Sequence, residues 1–180
     1  YSLVAERILG SEENEIVFFK DMASHAAGVE DEEFYGNLVN TFLIRDPEEA
    51  IASLYKKWPD FTEDEAGFEA IWRLFQKVTQ ELGQDAVVVD ATDFRSSPEA
   101  VMRAYCEAVS IPFDETALNW EQRKIKRWKS WDDDAEKSTG IEPPRGKELP
   151  PMPPEVIDVI EECREIYSAL YEERLIPTVS

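Results

Sequence analysis

The chain has 180 residues, a length that suits one domain, and carries 39 Asp and Glu against 19 Lys and Arg for a net charge of -20. With 43% apolar residues, five Trp, six Tyr and nine Phe it can bury a sizeable core, which excludes wholesale disorder. The acidity excludes a general nucleic-acid binder or a protein of anionic membrane surfaces, both of which need a basic excess, and leaves room for a local basic site.

Three short apolar runs, at residues 15–20, 40–44 and 86–89, are rich in β-branched and aromatic side chains and predict strands buried on both faces of a sheet. Between and after them the spacing predicts helices. Residues 47–58 open with Asp46 as cap, Pro47 at the first helical position and Glu48 and Glu49 in the first turn. Residues 62–82 carry Phe68, Ile71, Trp72, Phe75, Val78 and Leu82 at helical period and end at Gly83. A third helix starts at Ser97-Pro98 and a fourth covers 154–175. Strand and helix in alternation predict an α/β fold, a parallel sheet flanked by helices. Residues 120–153 break the pattern as a polar, proline-rich excursion of the kind that is often functional. One domain over 1–180 is expected, with no internal repeat.

No apolar run approaches the ~20 residues of a membrane-spanning helix, and no signal-peptide pattern opens the chain. Cys106 and Cys163 sit on predicted apolar helix faces and predict core packing rather than a disulfide framework. No Cys/His set has metal-ligand spacing, so no metal is expected. The reading is a reduced, cytoplasmic protein.

In an open parallel sheet ligands bind beyond the carboxyl ends of the strands, which points to Lys20-Asp21-Met22-Ala23-Ser24-His25, to Arg45-Asp46-Pro47 and to residues 90–94. Arg45, directly before a helix N-terminus, combines a bidentate anion donor with the positive end of a helix dipole; the other reading is an ion pair with a nearby carboxylate. His25, the single histidine, is a general base or a surface or capping His, and Lys20 an anion ligand or a surface Lys. Arg123, Lys124, Lys126, Arg127 and Lys129 form a basic island amid Trp120, Trp128 and Trp131. It is either a flap over an anionic ligand or a solvated patch paired with Asp132, Asp133 and Asp134. The segment Gly140 to Lys147 fails as a phosphate loop, because its spacing is one residue too long and its prolines remove amide donors. Trp58, Phe61, Trp72 and Tyr35 read as pocket lining or as core.

The stretch Phe42-Leu-Ile-Arg-Asp-Pro-Glu-Glu-Ala-Ile-Ala-Ser53 resembles the P-loop sulfotransferase superfamily, in which a strand ends in Arg and Ser follows eight residues on. Lys20-Asp-Met with His25, Leu118-Asn-Trp120, Trp128 to Trp131 and Ser138-Thr-Gly140 follow the bacterial-type members in the same order. The resemblance implies transfer of a sulfuryl group from 3'-phosphoadenosine 5'-phosphosulfate to a hydroxyl or amine of a small-molecule acceptor. It implies that Arg45 and Ser53 hold the nucleotide 3'-phosphate and that Lys20 stabilises the leaving phosphate. His25 or Asp21 would take the acceptor's proton, and Arg123, Lys124, Lys126 and Arg127 would close over the nucleotide. The family's glycine-containing 5'-phosphosulfate loop does not stand in these residues, so an N-terminal strand and loop are expected to be missing or truncated. The alternative is a non-catalytic nucleotide-binding or interaction domain derived from the same fold. A kinase-like phosphotransferase is a third option, needing a Walker loop upstream and acidic metal ligands.

Overall fold

Two of the expected strands pair, and the chain between them folds back as helices. The computed structural model of the chain describes residues 16–26, 32–122, 137–144 and 149–177. Strand β1 (Thr41–Ile44) and strand β2 (Val87–Asp90) run parallel with Thr41 opposite Val87 and Ile44 opposite Asp90. A parallel pair needs a crossover connection, and four elements supply it. Helix α3 (Pro47–Lys57) starts as its sequence dictates: Asp46 accepts from the amides of Glu48 and Glu49, and Lys56 and Lys57 complement the dipole at its end. Two short helices precede β1, α1 (Ala23–Ala26) and α2 (Glu32–Gly36), neither of which the sequence periodicity disclosed.

The helix expected over 62–82 is three pieces. Thr62 and Glu65 form a reciprocal capping box on α4 (Glu63–Ala66), which Gly67 ends at a φ of +79°, a left-handed conformation that glycine adopts at no steric cost. The chain re-enters as α5 (Phe68–Gln76) and closes with a π-helical turn, Lys77–Glu81. The apolar stripe survives the break, because Phe68, Leu74, Phe75 and Val78 are all buried. After β2 come α6 (Ala91–Ser96), α7 (Pro98–Ala108), a 3-10 turn (Glu115–Leu118) and the long α8 (Pro154–Glu172). The last helix was expected to reach residue 175. It stops earlier because Arg174 bridges Val88 in parallel and the Leu175 amide donates to the Val88 carbonyl at 2.7 Å, continuing the sheet beyond β2.

Helix α8 joins two apolar clusters. One gathers Phe42 and Ile44 of β1, Val88 of β2, Leu74, Phe75 and Val78, with Leu170 fully enclosed; the other joins Ile51 of α3, Phe68, Val156, Ile160 and Cys163. Phe42 meets Phe75 edge-on at 5.8 Å, and Trp72 stacks on Phe75. This core lies on one face of the sheet. On the other face α7 reaches β1 through Tyr105, whose hydroxyl lies 3.5 Å from Thr41 Oγ1.

Two expectations are corrected here. Residues 16–20 form no strand: Ile16 and Phe18 are 65% and 74% exposed, and the segment runs irregularly into α1. A continuous apolar run reads the same whether it joins a ladder or walls a cleft, and only a partner edge decides. Strand β1 is also not buried on both faces, since Leu43 is 64% exposed while Phe42 and Ile44 are buried. No described helix is long and apolar enough to cross a membrane.

Candidate functional site

The carboxyl end of β1 delivers Arg45 into a cleft of about 760 Å³ that Lys20 and Asp21 also line. The irregular path of residues 16–22 brings this about, because it lays that segment along the cleft that β1 borders. Lys20 is exposed and makes no ion pair or hydrogen bond with another described residue. Asp21 accepts from the Met22 amide at 2.7 Å, and its Oδ1 also lies 3.3 Å from His25 Nδ1, one helical turn on. When Nδ1–H donates to Asp21, the lone pair sits on Nε2. The His25 side chain is 66% exposed, so that nitrogen is accessible to a substrate.

Arg45 realises the ion-pair reading. Its Nε and Nη2 both donate to Glu49 Oε2, at 3.1 and 2.8 Å, with both side chains about one-third exposed. A pair so open to solvent contributes under ~1 kcal/mol, and an incoming phosphate can displace the carboxylate. The expected helix-terminal anion site is weaker than its position suggested. Asp46 already takes the amides of Glu48 and Glu49 and places its own negative charge at the helix start. Ser53 stands exposed on α3, about 9 Å along the helix axis from Pro47. Arg45 and Lys20 thus share one cleft, whereas Ser53 and His25 do not line it. Two cations on one cleft suit an anionic ligand such as a phosphorylated nucleotide. Among the described residues no group of three or more His, Cys, Asp and Glu side chains is placed to hold a metal ion.

Arg123, Lys124, Lys126 and Arg127 lie outside the described residues, as do Lys129, Trp128 and Trp131. The flanks of that segment are described, and they meet. Asn119 bridges Gly140 antiparallel, the Trp120 amide donates to Thr139 O at 3.0 Å, and Trp120 Nε1 donates to Ser138 Oγ at 3.2 Å. A Cβ on Gly140 would sit 3.3 Å from the Leu118 carbonyl, so this approach favours glycine. Arg95 of α6 then donates to the carbonyls of Glu142 and Pro143. Two separated pieces of sequence, Leu118-Asn-Trp120 and Ser138-Thr-Gly140, therefore form one stem.

The third strand end serves the fold. Asp90 is buried; its Oδ1 caps α6 by accepting from Thr92 and Asp93, and its Oδ2 accepts from the Tyr167 hydroxyl at 3.0 Å. Arg174 donates to Asp93 and packs its guanidinium 3.6 Å from the Tyr171 ring centre. Burial, then the Asp90 carboxylate, push the Tyr167 hydroxyl well above its ordinary range. Trp72 is core rather than pocket lining, and of the four aromatic candidates only Tyr35 borders the cleft.

Both cysteines are free and buried. Burial first, then Glu162 and Glu63, push the Cys163 thiol up to about 11. A thiol reagent at pH 8 is expected to label the folded chain slowly and the denatured chain at once, measured by absorbance. Because the folded thiol holds its proton above its unfolded range, its contribution to stability is intact below about pH 9 and is lost as pH rises toward 11. The unfolding midpoint should fall across that window, less steeply in Cys163→Ala.

A family model described as "Sulfotransferase domain" matches residues 4–172. Two proteins of Arabidopsis thaliana are similar over part of their length. "Branched-chain-amino-acid aminotransferase-like protein 2" is 30% identical over 132 residues, 71% of this chain and 23% of that protein. "Branched-chain-amino-acid aminotransferase-like protein 1" is 28% identical over 133 residues, with the same coverage. The chain thus spans about a quarter of the curated relatives it matches. No solved structure matches it.

Proposed function

The chain belongs to the sulfotransferase domain family, and we propose that it moves a sulfuryl group from 3'-phosphoadenosine 5'-phosphosulfate to a hydroxyl or amine of a small-molecule acceptor, on a P-loop-type sulfotransferase fold. The observation that supports this most is the shared cleft of Lys20, Asp21 and Arg45 at the end of β1. In the reaction the acceptor oxygen or nitrogen forms a bond to sulfur while the bond from sulfur to the donor's phosphate oxygen breaks. The electron pair stays on that oxygen, and the acceptor's proton leaves to a base. Lys20 faces the charge developing on the leaving phosphate, where a positioned cation acts most strongly. Asp21, which lines the cleft, or His25, which is hydrogen-bonded to Asp21 just outside it, takes the proton. Arg45 holds the 3'-phosphate, with Glu49 giving way; Ser53, on α3 outside the cleft, joins it only where the bound nucleotide extends along that helix. The aminotransferase-like names of the Arabidopsis proteins describe chains of which the match covers 23%, so they give this reading little weight.

The Arg45–Glu49 pair favours a second reading, a non-catalytic domain in which the arginine has become structural. Calorimetric titration with 3'-phosphoadenosine 5'-phosphate separates the two. The enzyme reading expects saturable binding that Arg45→Ala weakens at least about tenfold, the effect of losing ~1.5–3 kcal/mol from one charged ligand. Binding unchanged in Arg45→Ala, or no binding by the parent, contradicts it.

A further inference from the structure

We propose that Tyr35 is a positioning residue of the transfer site: its hydroxyl holds α1 in place and, through that turn, the Asp21–His25 pair. This rests on the sulfotransferase reading and names a further residue on which that site depends. Helix α1 is one turn of four residues, Ala23–Ala26. A helix that short is not stable by itself, because the bonds of one turn do not offset the backbone order it needs. Its final carbonyls also lack partners within the helix. The Tyr35 hydroxyl donates to one of them, the Ala26 carbonyl, at 2.6 Å. From there the bonds run back to the site. The Ala26 and His25 amides donate to Met22 O at 3.0 Å, and Asp21 Oδ1 takes the Met22 amide and meets His25 Nδ1. Ala23 and Ala26 pack on the same apolar cluster as Tyr35.

Tyr35 can anchor α1 because it is itself anchored. It is 6% exposed, meets Phe34 edge-on at 5.3 Å between ring centres, and carries the Lys77 ammonium 5.9 Å over its ring. Its carbonyl accepts from Asn40 Nδ2 at 3.0 Å, and the same amide reaches Leu38 O and Gln84 Oε1. Gln84 Nε2 in turn donates to Gly36 O at 2.8 Å. Asn40 directly precedes β1, and Arg45 directly follows it. Tyr35 thus ties the segment of Asp21 and His25 to the strand that delivers Arg45. It borders the cleft, but its hydroxyl proton is committed to Ala26, so it acts through α1 rather than on a substrate. A base shifted out of hydrogen-bond reach of the acceptor loses rate steeply. Arg45 is held by β1 and Glu49, so nucleotide binding does not depend on the Tyr35 hydroxyl.

The test compares the parent with Tyr35→Phe, which removes only the hydroxyl, and with Tyr167→Phe, which removes a tyrosine hydrogen bond to Asp90 instead. His25 is the single histidine, so its ring nitrogens give an unambiguous nuclear magnetic resonance signal. In alkaline buffer, where an imidazole is ordinarily neutral, that signal reports whether the proton sits on Nδ1, facing Asp21, or on Nε2. Tyr35→Phe is expected to move the proton from Nδ1 toward Nε2 and to lower kcat for transfer to 1-naphthol at least about fivefold. Acceptor KM and the Kd of 3'-phosphoadenosine 5'-phosphate are expected to stay within about twofold of the parent. Tyr167→Phe is expected to leave the His25 signal as it is in the parent. An unchanged His25 signal in Tyr35→Phe, an equal change in both variants, or an unchanged kcat overturns the proposal. A loss confined to acceptor KM also overturns it, because that marks direct contact with the substrate. The sulfotransferase reading fails separately, if the parent neither transfers sulfate nor binds the nucleotide; the His25 signal still decides whether Tyr35 holds the pair.

Discussion

Replacing Lys20 by Met is expected to lower kcat at least about a hundredfold, ~2.7 kcal/mol of barrier, while KM for the acceptor changes little. The asymmetry follows from where charge develops. In the ground state the donor's negative charge is already spread over its phosphate and sulfate oxygens; in the transition state more of it collects on the oxygen that leaves. A cation facing that oxygen stabilises the transition state more than the bound substrate, and only that difference appears in kcat. Lys20 is suited to the role because it is exposed and, among the described residues, has no carboxylate to neutralise it. Arg45 lacks this freedom, since Glu49 already shares its guanidinium. Methionine keeps the length and apolar stem of lysine and removes only the charge, so the variant should fold as the parent does. Arginine at position 20 restores charge with different geometry and is expected to recover part of the rate, not all. Stopped-time transfer assays with circular dichroism as the folding control measure all three.

Asp90→Ala is expected to destabilise the fold by roughly 2–4 kcal/mol, with chemical denaturation as the measurement. The loss has two parts. The first is the cap of α6, two amide donors at 2.8 and 3.0 Å, a change that typically costs ~1 kcal/mol. The second is the Tyr167 hydroxyl, which loses its acceptor in a half-buried place at a cost of ~1–3 kcal/mol. Asp90→Asn keeps an acceptor and should lose less. Tyr167→Phe removes the other partner, and a double-mutant cycle isolates their coupling. The pair also predicts a pH effect. Because the Tyr167 hydroxyl is raised in the folded state, its stabilisation is complete below the ordinary tyrosine range near ~10 and declines as pH rises above it. Tyr167→Phe should remove that part of the alkaline decline.

The sequence reads correctly where the signal is local. Asp46 and Pro47 start α3 as capping chemistry requires, and Cys106 and Cys163 are buried as expected of core thiols. The α/β class follows from the alternation of strand and helix, and the small parallel sheet bears it out. Readings that depend on distant partners fare differently. Residues 16–20 look like a strand because the run is apolar, yet pairing is decided by an edge elsewhere in the chain. Gly67 breaks a helix whose stripe continues through it, which periodicity alone does not register. At the site, Lys20, Asp21 and Arg45 were legible as strand-end residues and do share a cleft. A nearby carboxylate as the partner of Arg45 was legible too, although position alone chose neither between the pair and a phosphate nor Glu49 among the carboxylates. The stem joining Trp120 to Ser138 and Thr139 was not legible as a contact, because antiparallel pairing across 18 residues leaves no periodic trace.

The proposed sulfuryl transfer at the Lys20–Arg45 cleft is tested most directly by transfer of labelled sulfate from 3'-phosphoadenosine 5'-phosphosulfate to 1-naphthol by the parent and by Lys20→Met. Labelled aryl sulfate is expected from the parent, and at least about a hundredfold less from the variant at equal folded concentration. No labelled product from the parent, or equal rates from the two, would contradict it.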